Sequence, residues 1–153
     1  MTQVLATLCW LLLLGILAAQ DLREFRLPLG ANLAFVLTGL AVGDLAFGVA
    51  LPDRLIGAGA GYAGLQAVAL AYRAIRGRVG IGGGDPILLA GLGAWFGWQP
   101  LSLVVLIAAL LGIVAAALVF AIGPRAQQPW QLYRLPLGTL LAASSLIVAA
   151  IGR

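Results

Sequence analysis

Apolar and polar positions in this chain are sorted into long blocks. Val4 to Gln20 is a leucine-rich run, closed by the charged hexamer Asp21-Leu22-Arg23-Glu24-Phe25-Arg26. Leu29 to about Leu45, Leu55 to about Tyr72, Leu101 to Ile122 and Leu135 to Gly152 are further runs of the same kind. A helix needs about 20 mostly apolar residues to cross a bilayer, and these runs approach that length. A shorter apolar segment, Pro86 to Trp98, lies between the third and fifth. The pattern predicts an all-α polytopic membrane protein of six transmembrane helices, with residues 1–153 forming one domain. Pro28 and Pro86 suit helix starts. Gly57, Gly59, Gly61 and Gly64 in the third run let a neighbouring helix approach closely. Trp95 and Trp98 are expected in an interfacial aromatic belt.

Composition agrees with the pattern. The chain is 63% hydrophobic and 9% charged, with a mean hydropathy of +1.09. All nine basic residues are Arg, and there is no His. The pI of about 10.2 does not point to nucleic acid, because the arginines are spread through short loops instead of gathered on one face. Cys9 is the only cysteine, so no disulfide framework, cysteine metal site or other metal centre is expected, and no cofactor.

The arginines report topology. With six spans, the odd-numbered loops carry Arg23, Arg26, Arg73, Arg76, Arg78, Arg125 and Arg134, and the other side carries Arg54 and Arg153. The excess places the odd loops in the cytoplasm and both termini on the non-cytoplasmic side. Asp21 and Asp85 then fall at the cytoplasmic ends of spans, at similar depth. Asp44 and Asp53 fall on the opposite side.

The densest polar signal is Gly80-Ile81-Gly82-Gly83-Gly84-Asp85-Pro86. Gly80, Gly82, Gly83 and Gly84 free the backbone for positive φ and for close approach. Asp85 before Pro86 reads as a helix N-cap. A flexible loop thus carries a carboxylate to a helix mouth, and ionisable groups at membrane depth are read as functional by default. Two carboxylates at one depth, without a His, Lys or Cys, suit shared-proton chemistry in which one acts as base and the other as acid. The plainer readings are a simple cap for Asp85 and an interfacial ion pair with Arg23 or Arg26 for Asp21. The helix dipoles act on the two in opposite senses, since Asp85 opens a helix and Asp21 follows the end of one.

The Gly82-to-Asp85 tetrapeptide is a GxGD motif. With Leu88-Leu89-Ala90-Gly91-Leu92-Gly93-Ala94-Trp95-Phe96-Gly97-Trp98 after it, it closely resembles the type IV prepilin peptidase family. Ala19-Gln20-Asp21-Leu22-Arg23 with Leu27-Pro28, Asp53 to Ala58 with Gly61-Tyr62, and Leu135-Pro136-Leu137-Gly138-Thr139-Leu140-Leu141-Ala142 resemble it too, in order along the chain. The resemblance implies an intramembrane aspartyl endopeptidase of the bacterial inner membrane, with Asp21 and Asp85 catalytic. It implies prepilin or pseudopilin substrates cut at the cytoplasmic face, with Arg23, Arg26, Arg76 and Arg78 as candidates for contact with substrate acids or lipid head groups. A monomer or weak dimer in the lipid bilayer is expected. Longer members carry paired CxxC zinc ligands and methylate the new N-terminus. The sequence here begins at the first span with one Cys, so methylation is not expected. The Lys often found shortly after the second aspartate is absent from Pro86-Ile87-Leu88-Leu89. The rival readings are a catalytically silent scaffold of a pilus or secretion machine and a small transporter using intramembrane carboxylates.

The topology is checked by labelling. With Cys9 replaced, Arg76→Cys is expected to react only with reagent applied from the cytoplasm, and Asp53→Cys only with reagent from outside. Outside labelling at position 76 would overturn the orientation.

Overall fold

A computed structural model describes residues 1–24, 27–122 and 136–152. These residues are helical, in six elements: α1 (Thr2–Glu24), α2 (Leu29–Phe47), α3 (Leu51–Arg76), α4 (Asp85–Phe96), α5 (Leu101–Ile122) and α6 (Leu137–Ile151). α1, α2, α3 and α5 are long and apolar enough to cross a membrane, whereas α4 and α6 are shorter apolar helices. The helices outlast the apolar runs at several ends. Asp21 to Glu24 form the last turn of α1 instead of a loop, and Asp44, Asp53 and Arg54 also lie within helices. α2 and α3 stop at Gly48 and Gly77, both at φ 68°, a left-handed conformation that suits glycine. Arg26, Arg125, Trp130, Tyr133 and Arg134 lie outside the described residues.

α4 is the centre. Every residue in it except Ile87 is buried. It packs chiefly on α3 and α2, while α1 pairs with α2 and α6, and α5 with α6. Glycine makes the α3–α4 contact possible. A Cβ on Gly57 would sit 2.6 Å from the Gly93 carbonyl oxygen, and one on Gly61 would sit 2.7 Å from that of Leu89. Gly59 and Gly64 face open space, so only two of the four α3 glycines serve the helix contact.

The end of the bundle away from Asp85 is closed by aromatic rings. Trp10, Phe47 and Phe96 meet edge to face, with centroids 4.5–5.4 Å apart. Trp95 is fully buried and donates its indole N–H to the Phe35 carbonyl at 3.1 Å. It is therefore a core anchor and not a belt residue, because α4 has no surface left to place it at an interface. Trp98 is half exposed and donates to Asp53 at 3.1 Å. Asp53 and Arg54 do not pair with each other. Arg54 is buried and donates to the α2 carbonyls of Gly39 at 2.8 Å and Leu40 at 3.0 Å. Its guanidinium lies 3.7 Å from Asp44.

Gly57→Ala is expected to lower thermal stability in detergent by about 1–3 kcal/mol, because the added methyl meets backbone that cannot rotate away. Gly59→Ala is expected to be neutral or slightly stabilising. Equal behaviour of the two variants would contradict backbone-to-backbone packing.

Candidate active site

Asp21 and Asp85 reach one place from different elements. Asp21 stands in the last turn of α1 and Asp85 is the first residue of α4; both are buried, at 4% and 7% exposure. They are close enough for their charges to interact. No ion pair joins Asp21 to Arg23 among the described residues, which removes the solvated-pair reading for that partner.

Asp85 is held by its own loop. Its Oδ2 accepts the Gly82 N–H at 3.0 Å, and its N–H donates back to the Gly82 carbonyl at 3.3 Å. The N-cap position belongs to Gly84, so Asp85 opens the helix without capping it. The loop glycines act by absence of side chain. None of Gly80, Gly82, Gly83 and Gly84 has positive φ. Instead Gly80 lies against the Tyr72 ring, Gly82 against the Asp85 carboxylate, and Gly84 against Leu27, whose Cβ would be 2.6 Å from an added methyl. Gly83 alone of the four has nothing nearby. Asn32 of α2, fully buried, ties the loop down by donating to the Gly84 carbonyl at 3.0 Å.

Asp21 is held from across the bundle by the start of α6. Its Oδ2 accepts the Thr139 N–H at 2.7 Å and the Thr139 hydroxyl at 3.1 Å. The N–H is one of the donors a helix start leaves unpaired. Both carboxylates therefore lie at a helix N-terminus, Asp85 at its own and Asp21 at that of α6. The C-terminal end of α1 acts on Asp21 as chain order implies, and tertiary packing opposes it with the N-terminus of a second helix. Leu27 spaces the two mouths, touching the Gly84 position and lying 3.0 Å from a methyl placed on Gly138.

Each carboxylate thus uses Oδ2 to accept a backbone N–H, while Oδ1 accepts no hydrogen bond among the described residues. Such a pair, fixed in position with one free oxygen apiece, can hold a water molecule and pass protons to and from it. Arg23 and Arg76 are exposed and Arg78 half-buried; Arg26 lies outside the described residues. Asp44 and Asp53 lie at the other end of the bundle, near the close of α2 and the start of α3. An apolar groove of about 330 Å³ runs between α3 and α5, bordered by Ile56, Ala60, Leu89, Trp98, Leu101 and Val105, and contains neither carboxylate.

Thr139 and Asn32 did not stand out in the sequence as site residues. Their signals were a hydroxyl at a helix start after Leu135-Pro136 and an amide inside an apolar run.

These features define a helical membrane protein with a buried carboxylate pair. The chain belongs to the type IV leader peptidase family, whose model matches residues 6–152. It is 42% identical over 109 residues to a prepilin leader peptidase/N-methyltransferase of Aeromonas hydrophila, covering 69% of this chain and 38% of that protein. To the protein of the same name from Dickeya chrysanthemi it is 44% identical, covering 74% and 41%. To that from Burkholderia pseudomallei strain K96243 it is 38% identical, covering 83% and 40%. The chain spans about two fifths of the length of these relatives. No solved structure matches it.

Gly84→Ala is expected to destabilise the loop, since Leu27 is pinned between two helix mouths, and Gly83→Ala is expected to be tolerated. Thermal unfolding in detergent should separate them by about 1 kcal/mol or more. A fall in stability for Gly83→Ala as large as that for Gly84→Ala would contradict the assigned contacts.

Proposed function

We propose that this chain is an intramembrane aspartyl endopeptidase that removes the leader of prepilins or pseudopilins at the cytoplasmic face of the bacterial inner membrane, with Asp21 and Asp85 as its catalytic pair. One observation carries the reading: two buried carboxylates from separate helices, each fixed by a backbone N–H through one oxygen only. Family membership and the relatives' names support the substrate class.

In this reading one carboxylate, acting as base, takes a proton from a water molecule held between the free oxygens. The water oxygen attacks the scissile carbonyl. The other carboxyl, protonated, gives its proton to the leaving nitrogen as the C–N bond breaks. The hydrophobic segment after the cut would lie along the α3–α5 groove, whose floor residue Leu89 is one helical turn beyond Asp85. All six helices are taken as membrane spans, with both termini outside. Arg23, Arg26, Arg76 and Arg78 then share the cytoplasmic side with the aspartates, placed for acidic substrate groups or lipid head groups. Both carboxylates lie at helix ends.

With a prepilin-like peptide and purified protein, Asp21→Asn and Asp85→Asn are each expected to reduce cleavage by about 10²–10⁴-fold while the protein still inserts, because an amide cannot cycle the proton. Asp44→Asn is expected to keep most activity. Substantial cleavage by either site variant would end the two-aspartate mechanism.

A further inference from the structure

We infer that the Gly138-Thr139 dipeptide at the start of α6 is a positioning element for Asp21, and that Thr139 sets the catalytic rate by holding that carboxylate in register. The inference rests on the peptidase reading above and adds residues to its machinery.

Three observations converge on the dipeptide. First, both hydrogen bonds to Asp21 come from Thr139, one from its N–H at 2.7 Å and one from its hydroxyl at 3.1 Å, and both fall on Oδ2. Second, the position before it has room for no side chain. A Cβ at Gly138 would stand 2.9 Å from Asp21 Oδ2, 3.1 Å from its Cγ and 3.0 Å from Leu27 Cδ1. Third, α6 packs against α1 and α5, so the donor is carried by a packed helix and not by a free loop. The Thr139 hydroxyl also lies 3.4 Å from the Ala18 carbonyl, one turn before Asp21. Its single proton therefore has two acceptors on the same stretch of α1, and either choice ties α6 to the end of α1.

The chemical consequence follows from geometry. An Asp side chain has two rotatable bonds, and a carboxylate held by one donor can pivot about it. Two donors on one oxygen remove most of that freedom and leave Oδ1 as the oxygen presented to the water. Charge-assisted bonds of this kind are the stronger class of hydrogen bond. A displacement of a fraction of an ångström would leave the groove proposed for the substrate's apolar segment intact, since neither carboxylate borders it, but would slow proton transfer. The loss should therefore appear in kcat and not in KM.

The test uses the full chain in detergent or nanodiscs with a prepilin-like peptide. Thr139→Val keeps the shape and the backbone N–H and removes the hydroxyl. It is expected to lower kcat by about tenfold to a hundredfold, the rate equivalent of one charge-assisted hydrogen bond, with KM within about twofold of wild type. Thr139→Ser restores the hydroxyl and should recover most of the rate. Gly138→Ala should lower kcat as well, by displacing the carboxylate. Wild-type kcat in Thr139→Val, a Ser variant as slow as the Val variant, or a loss confined to KM would each overturn the inference. Asp21→Asn and Asp85→Asn run alongside keep the two readings apart. If both aspartate variants are inactive and Thr139→Val is fully active, only the positioning role falls. If the aspartate variants cleave normally, the peptidase reading falls with it.

Discussion

At twelve residues α4 is about 18 Å long, shorter than the apolar core of a bilayer, and it has almost no face turned outward. Its backbone must therefore be enclosed by other helices at distances that side chains would prevent. The contact of Gly57 and Gly61 with α4 meets that demand. Without water or a hydrophobic drive between helices in lipid, close backbone packing is the main source of attraction. The same device holds α2, whose Gly39 and Gly43 lie against Ala94, and the two contacts together set the start of α4 that bears Asp85.

The same environment governs the polar groups. In a medium with little water, each buried donor or acceptor needs a partner inside the protein. Trp95 finds the Phe35 carbonyl, Arg54 finds two α2 carbonyls, and Ser144 and Ser145 bond back to Leu141 and Ala142 in their own helix. Trp10 Nε1, Gln20 Oε1, Asn32 Oδ1 and Arg54 Nε are buried without a partner among the described residues. The two site aspartates are also only half satisfied. Each is tied through one oxygen, and its second oxygen has no protein donor among the described residues. A purely structural carboxylate would gain by filling both.

Much of this was legible in the chain. Long apolar runs separated by charged turns define the helices, because hydropathy alone decides what a bilayer accepts. The pairing of Asp21 with Asp85 was expected from the distribution of the arginines, and the two do come to one end of the bundle. What could not be read was side-chain partnership across elements. Nothing local distinguishes Gly57 from Gly59, since only packing against α4 separates them. Trp95 and Trp98 look alike in sequence, yet one is core and the other rim. The Thr139 bond joins Asp21 to a residue 118 positions away, and the helix that supplies it brings a second dipole that chain order does not reveal. The loop glycines were expected to provide unusual φ and instead provide clearance.

The unequal lengths of α3 and α4 leave Asp85 at the end of a returning connection. Gly61 lies against Leu89 and Gly57 against Gly93, so Asp85 is level with about Leu65. Residues 66–76 then carry α3 about 16 Å further, at roughly 1.5 Å per residue. The connection 77–84 must come back over that distance, and Gly80 against Tyr72 shows it lying along α3. Fully stretched, eight residues reach at most about 29 Å. That exceeds the gap by about 13 Å, so length alone would let Asp85 travel. What holds it is contact: Gly80 on Tyr72, Gly84 on Leu27 and the Asn32 bond to the Gly84 carbonyl must be released before Asp85 can swing clear of Asp21.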